Sequence, residues 1–261
     1  MRFEIETVRR ELPGRRISYF ETLDSTMREA ALLADAGSPS GTAVIADEQT
    51  AGLGRHGHTW HSEKGSGLYV SIILRPELPA DSMPLLTLAL GLATAEAIAR
   101  TTDVRCDLRW PNDILVGEKK VAGILVQLLE SAVIAGIGIN VNHYAFPPEI
   151  AAEATSLRIT AGRPHAREDL LISLAPAVDS FCKMLVEGGK EAILKAFSQH
   201  SSYARNKRVR VQQGDEIIRG ERISLVQFGS RADVYLPANA KIQVKLGDHI
   251  TGGETVLARI E

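Results

Sequence analysis

The sequence GILVQLLESAVIAGIGINV, at residues 123–141, is the most apolar run of this chain. Its residues are almost all apolar, but Gln127, Glu130 and Ser131 interrupt the run, so it does not have the uniform apolar character of a membrane-spanning helix. Short apolar runs on either side of a polar turn are typical of neighbouring buried strands. Residues 123–141 therefore predict two adjacent strands of a sheet that turn near Glu130.

Helices and further strands alternate on the N-terminal side of this pair. Leucine and alanine recur at helical spacing over residues 81–100, which predicts a packing helix. The sequence TMRE at residues 26–29 fits a capping box that opens a helix ending near Gly37, so Thr26 can be no more than a cap. Further strands are predicted at residues 17–20, 42–46, 68–74, 108–110 and 114–116. The pattern predicts helices packed around a sheet.

The pattern changes towards the C-terminus. Helical spacing returns over residues 168–186, where Pro176 is expected to kink or divide the helix, and again over residues 191–200, with Gly188 and Gly189 separating the two stretches. Beyond residue 205, glycine-containing turns separate short β-rich runs, which is typical of a small barrel of about five strands. The sequence therefore predicts two domains, residues 1–205 and residues 206–261.

Composition and charge exclude several classes of protein. The 261 residues include 44% hydrophobic and 24% charged side chains, which is ordinary for soluble proteins, and the net charge of −2 gives no overall field for nucleic acid or a membrane surface. Cys106 and Cys182 are the only cysteines, so no disulfide framework or C-x-x-C pair is predicted. The N-terminus has no apolar stretch of the signal-peptide type. We therefore expect a cytoplasmic protein.

A glycine-rich loop, QTAGLGRHGHTW at residues 49–60, is the first part of a candidate site. Glycines allow backbone N–H groups to approach an anion closely, and Arg55 adds a positive charge. Lys120, in the segment KKVAG at residues 119–123, adds another. A glycine-rich loop alone is more often an ordinary mobile connection. Together with Lys120 and the segment RWPND at residues 109–113, the loop predicts a site for a phosphate-bearing intermediate.

Other polar residues near these segments each allow two interpretations. Residues 109–113 present an amide and a carboxylate from a rigid proline turn, but an aromatic residue before proline is also common in ordinary packing. Lys120 lies in a partly desolvated cleft or is an exposed hairpin lysine. Asn140 contacts a nucleobase or satisfies buried backbone groups. The loop histidines, His56 and His58 among them, have no second ligand cluster, so no metal site is predicted.

In their order and spacing, these segments resemble the biotin protein ligase family, the biotin–acetyl-CoA-carboxylase ligases. The resemblance spans nearly the whole chain and rests on DST at residues 24–26, the loop at residues 49–60, RWPND at residues 109–113, KVAGIL at residues 120–125 and GIN at residues 138–140. It implies an α+β fold, with a mixed-sheet catalytic domain of the biotin/lipoate ligase type followed by a small C-terminal SH3-like β-barrel.

The resemblance also implies a two-step activity. Biotin and ATP, with Mg²⁺ as the counter-ion of ATP, give biotinyl-5′-AMP and pyrophosphate. A lysine of a biotin carboxyl carrier protein, from acetyl-CoA carboxylase or a related biotin enzyme, then attacks the mixed anhydride. Because attack of a carboxylate on the α-phosphate brings two anions together, cations aimed at the phosphoryl oxygens are needed.

The resemblance assigns roles to individual residues in three groups. The catalytic residues it implies are Arg55, Lys120 and Asp113, the last either holding Mg²⁺ or taking a proton. The residues it implies for biotin are Ser25, Thr26, Gln49, Gly52, Leu53, Gly54, Arg55, Lys120 and Gly123. Those it implies for ATP are Arg55, His56, Trp60, Asn112 and Asn140, with Trp60 as the aromatic face for adenine.

The chain departs from the family pattern inside the glycine-rich loop. The commonest family loop has arginine at the positions of Leu53 and His58, which leaves Arg55 as the only permanent cation of the loop here. We therefore expect biotinyl-AMP to be held more weakly and with a stronger pH dependence. Equal dissociation rates at pH 6 and pH 8 would contradict this expectation.

Two alternative functions are kept open. A lipoate or octanoate ligase shares the architecture, although the loop ending at Trp60 and the segment at residues 109–113 favour biotin. Some family members are biotin-sensing transcriptional repressors with an N-terminal DNA-binding unit, but roughly sixteen residues precede the first predicted strand here, so we expect a monofunctional enzyme that binds no DNA. An exposed sheet edge can pair with a second copy of the chain, giving a homodimer, or with the carrier protein. Residues 52–67 are expected to become ordered on ligand binding.

Overall fold

The computed structural model describes residues 3–79, 82–202, 240–243, 245 and 258–260. The chain divides into two compact units, Met1–Lys207 and Arg208–Glu261. The helices of the first unit are α1 Ile5–Glu11, α2 Thr26–Asp35, α3 Met83–Thr101, α4 Pro148–Ala151, α5 Leu157–Ala161 and α6 Arg167–His200. Its strands are β1 Ile17–Phe20, β2 Ala43–Ala46, β3 Gly67–Leu74, β4 Asp107–Arg109, β5 Asp113–Val116, β6 Lys119–Leu128 and β7 Val133–Asn140.

The strands of the first unit form one mixed sheet of seven strands in the order β1-β2-β3-β7-β6-β5-β4. β1 and β2 pair in parallel, and the other neighbours pair antiparallel. The predicted hairpin is confirmed, since β6 and β7 are neighbours and the Leu129 N–H donates to the Ala132 carbonyl at their turn. The α+β class with a mixed sheet is therefore confirmed for this unit.

The two faces of the sheet carry different layers, and β7 shows how the sequence separates them. Ala135, Ile137 and Ile139 belong to the large core that α3 and α6 help to form. Because side chains alternate along a strand, Gly136 and Gly138 lie on the opposite face. There, Gly136 is covered by the side chain of Met27 from α2. Glycine on this face leaves room between the sheet and α2.

Helix α3 is long and apolar enough to pass a test for a membrane span, with a mean hydropathy of 1.3. However, 67% of its apolar window is buried inside the protein, and Leu86, Ala93 and Ile98 are inaccessible to solvent. A helix that is apolar on all sides is also typical of the core of a globular protein. The packing helix predicted at residues 81–100 is confirmed.

The predicted capping box at Thr26 is wrong. The N-cap position of α2 is Ser25, whose side chain makes no capping hydrogen bond, and Thr26 is the first helical residue. The Thr26 N–H and hydroxyl both donate to Oε1 of Gln49, at 2.9 and 3.0 Å. A partner 23 residues away therefore takes the place of the local cap that the sequence suggested.

Pro176 does not divide α6 as predicted. Non-helical backbone angles inside α6 occur at Gly189, whose φ of 66° lies in the left-handed region that glycine adopts without steric cost. Pro176 lies within the helix, next to the buried Ala175 and Ala177. The helix continues through the proline, and the break falls at Gly189, within the pair Gly188 and Gly189 that was predicted to separate the two helical stretches.

For the second unit, the structure describes β8 Ala240–Ile242 and β9 Ala258–Ile260, which pair antiparallel. The remainder of the SH3-like barrel predicted for residues 206–261 lies outside the described residues. That domain stays a prediction.

Candidate functional site

A pocket lies on the α2 face of the sheet, between the glycine-rich loop, α2 and strands β3, β6 and β7. Nine of the predicted site residues line it: Thr26, Gln49, Leu53, Gly54, Arg55, Trp60, Asn112, Lys120 and Gly123. The other lining residues are Met27, Tyr69, Val70, Ile124, Leu125, Gly136, Ile137 and Gly138. Segments far apart in sequence therefore meet at one pocket.

The glycine-rich loop is folded as a small hairpin. The Trp60 N–H donates to the Gly52 carbonyl at 2.9 Å, and the Gly54 N–H donates to the His58 carbonyl at 2.8 Å. A turn of 3-10 helix at Arg55–Gly57 closes the hairpin, with His56 exposed at its tip. A Cβ at Gly52 would lie 2.7 Å from the Trp60 carbonyl oxygen, so only glycine fits there.

Two cations reach the pocket from separate elements. Nη1 of Arg55 donates to Oδ1 of Asn112 at 2.9 Å, and the Asn112 amide in turn donates to the Ile124 carbonyl at 3.1 Å. Nζ of Lys120 lies 2.6 Å from Oδ1 of Asp113. This ion pair places the Asp113 carboxylate beside the pocket. Arg55 and Lys120 together make this part of the pocket positive.

The other end of the pocket is a chain of hydrogen bonds between neutral polar side chains. Gln49 accepts from Thr26, and its amide nitrogen donates to Oγ of Ser62 at 2.9 Å. Oγ of Ser71 donates to Oγ1 of Thr26 at 2.8 Å. The Ser25 hydroxyl is buried beside this chain and has no partner in the described part of the protein. Fixed amide and hydroxyl groups suit a ligand with its own donors and acceptors.

The floor of the pocket consists of paired glycines. Gly123 of β6 and Gly138 of β7 are direct cross-strand partners, and the indole ring of Trp60 lies over both. Nζ of Lys120 is 5.3 Å from the centre of the Trp60 ring, within the range of a cation–π interaction. Among the described residues, the buried Nε1 of Trp60 has no hydrogen-bond acceptor.

Some predicted residues lie away from the lining of the pocket. Ser25, Gly52 and Asp113 are immediate neighbours of lining residues, whereas His56 lies at the exposed tip of the loop. Asn140 is buried, and its amide nitrogen donates to the Thr155 carbonyl at 3.1 Å. A direct contact of either His56 or Asn140 with ATP stays a prediction.

The segment that follows β7 also supports the site, although no sequence pattern predicted it. The Lys120 N–H donates to the Glu153 carbonyl at 2.7 Å, and the Thr155 N–H donates to the Lys120 carbonyl at 2.9 Å. Residues 152–156 therefore hold the backbone of Lys120 from outside the sheet. Gly136 and Gly138 were also missed as pocket residues, although their alternation along β7 was a usable signal.

A buried histidine, His143, follows β7 next to the pocket. The Tyr69 hydroxyl donates to the Glu63 carbonyl at 3.0 Å and lies 3.3 Å from Nε2 of His143. The ring of His143 also stacks on Phe146, with 5.0 Å between ring centres. Burial lowers the pKa of His143 to about 4, against an opposing effect of Glu63, while His61 lowers it further. The side chain is therefore neutral at physiological pH.

This burial predicts a loss of stability in mild acid. Because the unfolded chain takes up a proton on His143 near pH 6.5 and the folded chain only near pH 4, stability falls as the pH falls through that window. Between pH 7 and pH 5 we expect His143 to account for a loss of about 2 kcal/mol. Urea unfolding of wild type and His143→Gln at both pH values measures it.

The exposed loop histidine provides the control for this measurement. His56→Gln removes a solvent-exposed imidazole and should keep the pH dependence of the wild type. The pKa of His165 is also lowered by burial, so His143→Gln should reduce the dependence without abolishing it. If His143→Gln and the wild type lose the same stability between pH 7 and pH 5, the account of His143 is wrong.

Comparison with known proteins gives two results for different parts of the chain. Residues 19–143 match the biotin/lipoate A/B protein ligase family. The chain is 42% identical over 178 residues to the bifunctional ligase/repressor BirA of Bacillus subtilis, a match that covers 66% of this chain and 54% of that protein. The chain therefore spans about half the length of this relative.

Comparison with a solved structure shows that the similarity includes the fold. The biotin protein ligase of Aquifex aeolicus in complex with biotin and ATP aligns with a TM-score of 0.66 and 34% identity. The alignment covers 72% of this chain and 79% of that one. A likeness over this length and at this identity extends well beyond the short motifs of the pocket.

The second result concerns the C-terminal part of the chain. Residues 151–258 match the phosphatidylserine decarboxylase family. The phosphatidylserine decarboxylase proenzyme of Chlorobium limicola is 47% identical over 64 residues, which is 24% of this chain and 30% of that protein. This match covers most of the range for which the sequence analysis predicted an SH3-like domain.

Proposed function

The chain belongs to the biotin/lipoate A/B protein ligase family, and from that membership we propose that it activates biotin with ATP and transfers it to a lysine of a carrier protein. One observation carries the proposal. Arg55 and Lys120 meet at one pocket whose other end is the hydrogen-bonded pair Thr26 and Gln49. A molecule with a polar ring system at one end and a carboxylate at the other fits this arrangement.

The first step is attack on ATP. A carboxylate oxygen of biotin attacks the α-phosphorus, the bond from that phosphorus to the pyrophosphate oxygen breaks, and pyrophosphate leaves with the bonding electrons. Negative charge builds up on the phosphoryl oxygens during this exchange. Arg55, oriented by Asn112, and Lys120, fixed by its strand, supply fixed positive charge there.

The second step moves biotin to the acceptor. The amine of a carrier lysine attacks the acyl carbon of biotinyl-5′-AMP, an amide bond forms, and AMP leaves. A lysine of ordinary pKa is neutral in only about one copy in a few thousand at pH 7, so a proton must be removed. We assign this proton to Asp113, whose carboxylate lies beside the pocket and is paired with Lys120.

Magnesium is expected to enter with ATP, and the residues present fit it modestly. Asp113 supplies one carboxylate beside the pocket, paired with Lys120, and Mg²⁺ often uses one or two carboxylates together with substrate phosphates and water. In the described part of the chain, no group of three or more His, Cys, Asp or Glu side chains is arranged to hold a metal. Asp113 would therefore hold Mg²⁺ only together with ATP, and the ion would neutralise phosphate charge.

The polar end of the pocket favours biotin over lipoate. The ureido group of biotin has donors and an acceptor that can pair with Ser25 and the hydrogen-bonded pair Thr26 and Gln49. The dithiolane of lipoate has no such groups, so it would leave the buried Ser25 hydroxyl without a partner. A site built for hydrogen bonds discriminates strongly against ligands that lack them.

Isotope exchange between pyrophosphate and ATP tests the proposal without an acceptor. The purified protein with Mg²⁺ should catalyse exchange that depends on biotin, and much less exchange with lipoate or octanoate. Exchange with lipoate alone would assign the chain to the other branch of its family. Absence of exchange with all three acids would remove the proposal.

The C-terminal match supports a second, separate proposal. We infer that part of residues 151–258 is a module shared with phosphatidylserine decarboxylase proenzymes. Because the match covers 30% of the Chlorobium protein, we do not extend the activity in its name to this chain. The purified protein should keep its full mass of 28.3 kDa and release no carbon dioxide from phosphatidylserine. Release of carbon dioxide would give this part a catalytic function of its own.

A further inference from the structure

The indole of Trp60 lies directly on the floor of the pocket. A Cβ built on Gly138 would be 2.5 Å from Cε2 and 2.6 Å from Nε1 of the ring, and a Cβ on Gly123 would be 2.7 Å from Cζ3. At these distances the ring is in contact with the backbone of both strands. No ligand atom fits between the indole and the sheet in this conformation.

The covered floor is the path between the two ends of the pocket. β3, which carries Ser71 of the polar chain, pairs with β7, and β7 pairs with β6, which carries Lys120. The indole spans Gly138 on β7 and Gly123 on β6, so it lies between the polar chain and Lys120. A ligand that reaches from one end to the other must cross the surface that the ring occupies.

We propose that Trp60 is a plug that fills the place of the ligand's apolar middle, and that biotin enters by lifting the ring from the paired glycines. The inference rests on the proposed function for the identity of the ligand. After entry, the indole covers the outer face of the bound molecule. Because Trp60 is hydrogen-bonded to Gly52 across the loop, the hairpin of residues 52–60 moves with it.

Opposing interactions act on the plug. Contact with the glycine floor and the cation–π interaction with Lys120 hold the ring down. The buried Nε1 without an acceptor in the described part of the chain favours lifting, because an exposed N–H binds water. A ligand that binds the lifted state shifts the population towards it. The expectation that residues 52–67 become ordered on ligand binding stays a prediction.

The association rate of biotin tests the plug. If about a tenth of the molecules are open, Trp60→Ala should raise the association rate constant about tenfold, and dissociation should also be faster. Rapid filtration with labelled biotin measures both rates for the full chain. If Trp60 only covers the ligand after entry, the variant changes dissociation alone. An unchanged or slower association therefore overturns the proposal.

A second variant tests the plug without any ligand. Gly138→Ala places a methyl group against the ring, so the ring must leave the floor, and the tryptophan emission should shift as it does when wild type binds biotin. Gly91→Ala is the control, because its methyl group would lie at an ordinary 3.8 Å from Leu108. Trp110 is the other tryptophan of the chain, so the emission of Trp60→Phe shows which part of the signal comes from Trp60.

The two variants separate this inference from the proposed function. If the wild type binds no biotin at equilibrium, the proposed function fails, and the emission of ligand-free Gly138→Ala still decides whether Trp60 occupies the floor. An emission equal to that of wild type and Gly91→Ala, in protein with an unchanged melting temperature, contradicts the plug.

Discussion

Replacing Lys120 by alanine is expected to lower the rate of biotin-dependent pyrophosphate exchange on the order of a thousandfold. The ammonium of Lys120 lines the pocket and is paired with Asp113 at 2.6 Å. Its removal takes away a positive charge where phosphoryl charge builds up, and it leaves the Asp113 carboxylate unbalanced beside the same phosphates. Both effects act against the transition state.

Three further variants make this result specific. Lys183→Ala changes an exposed lysine of α6 and should leave exchange at the wild-type rate. Lys120→Arg keeps the charge but not the compact ammonium, so it should recover part of the rate. If the unbalanced carboxylate contributes to the loss of rate, the double variant Lys120→Ala, Asp113→Asn should have a higher exchange rate than Lys120→Ala alone. Exchange by Lys120→Ala within threefold of wild type would show that Lys120 has no part in adenylation.

Replacing Arg167 by methionine is expected to lower the free energy of unfolding by about 3–5 kcal/mol. Arg167 forms a buried ion pair with Asp47, and their side chains are 3% and 10% exposed. Arg167 also donates to the Gly67 carbonyl at 3.2 Å, so the pair joins the start of α6 to the end of β2 and the start of β3. Without Arg167, a buried carboxylate is left without its cation.

An exposed ion pair of the same chain provides the control. Nη2 of Arg163 lies 3.3 Å from Oδ2 of Asp103, but the two side chains are 57% and 101% exposed. Arg163→Met should therefore lower the free energy of unfolding by less than about 1 kcal/mol. Adding Asp47→Asn to Arg167→Met should recover part of the lost stability, because the uncompensated charge is removed. Urea unfolding measures all of these variants. Equal losses for Arg167→Met and Arg163→Met would contradict the account of the buried pair.

Local sequence pattern was enough to predict the central hairpin and the long packing helix of the first unit. The polar break at Glu130 and Ser131 located the β6–β7 hairpin, and the spacing of leucine and alanine located α3. Arg55 and Lys120 were assigned to one phosphate site from their charge and the glycine-rich loop, and the resemblance to a family then gave both a catalytic role. Their meeting at one pocket follows from the strand order of the sheet.

The errors and omissions have one physical cause, which is contact between residues far apart in sequence. Thr26 looked like a cap because its partner Gln49 is in another segment. The pair of Arg167 and Asp47 spans 120 residues and leaves no local signal. The glycine floor is visible only after strands pair, since Gly123 and Gly138 are cross-strand partners.

Native mass spectrometry of the full chain after incubation with biotin, ATP and Mg²⁺ shows whether the protein forms and holds an adenylate. The account predicts that each chain retains one molecule with the mass of biotinyl-5′-AMP, that this species is absent without ATP, and that it is absent in Lys120→Ala. Retention of ATP alone, or of a lipoyl adenylate in place of the biotinyl one when both acids are supplied, would contradict it.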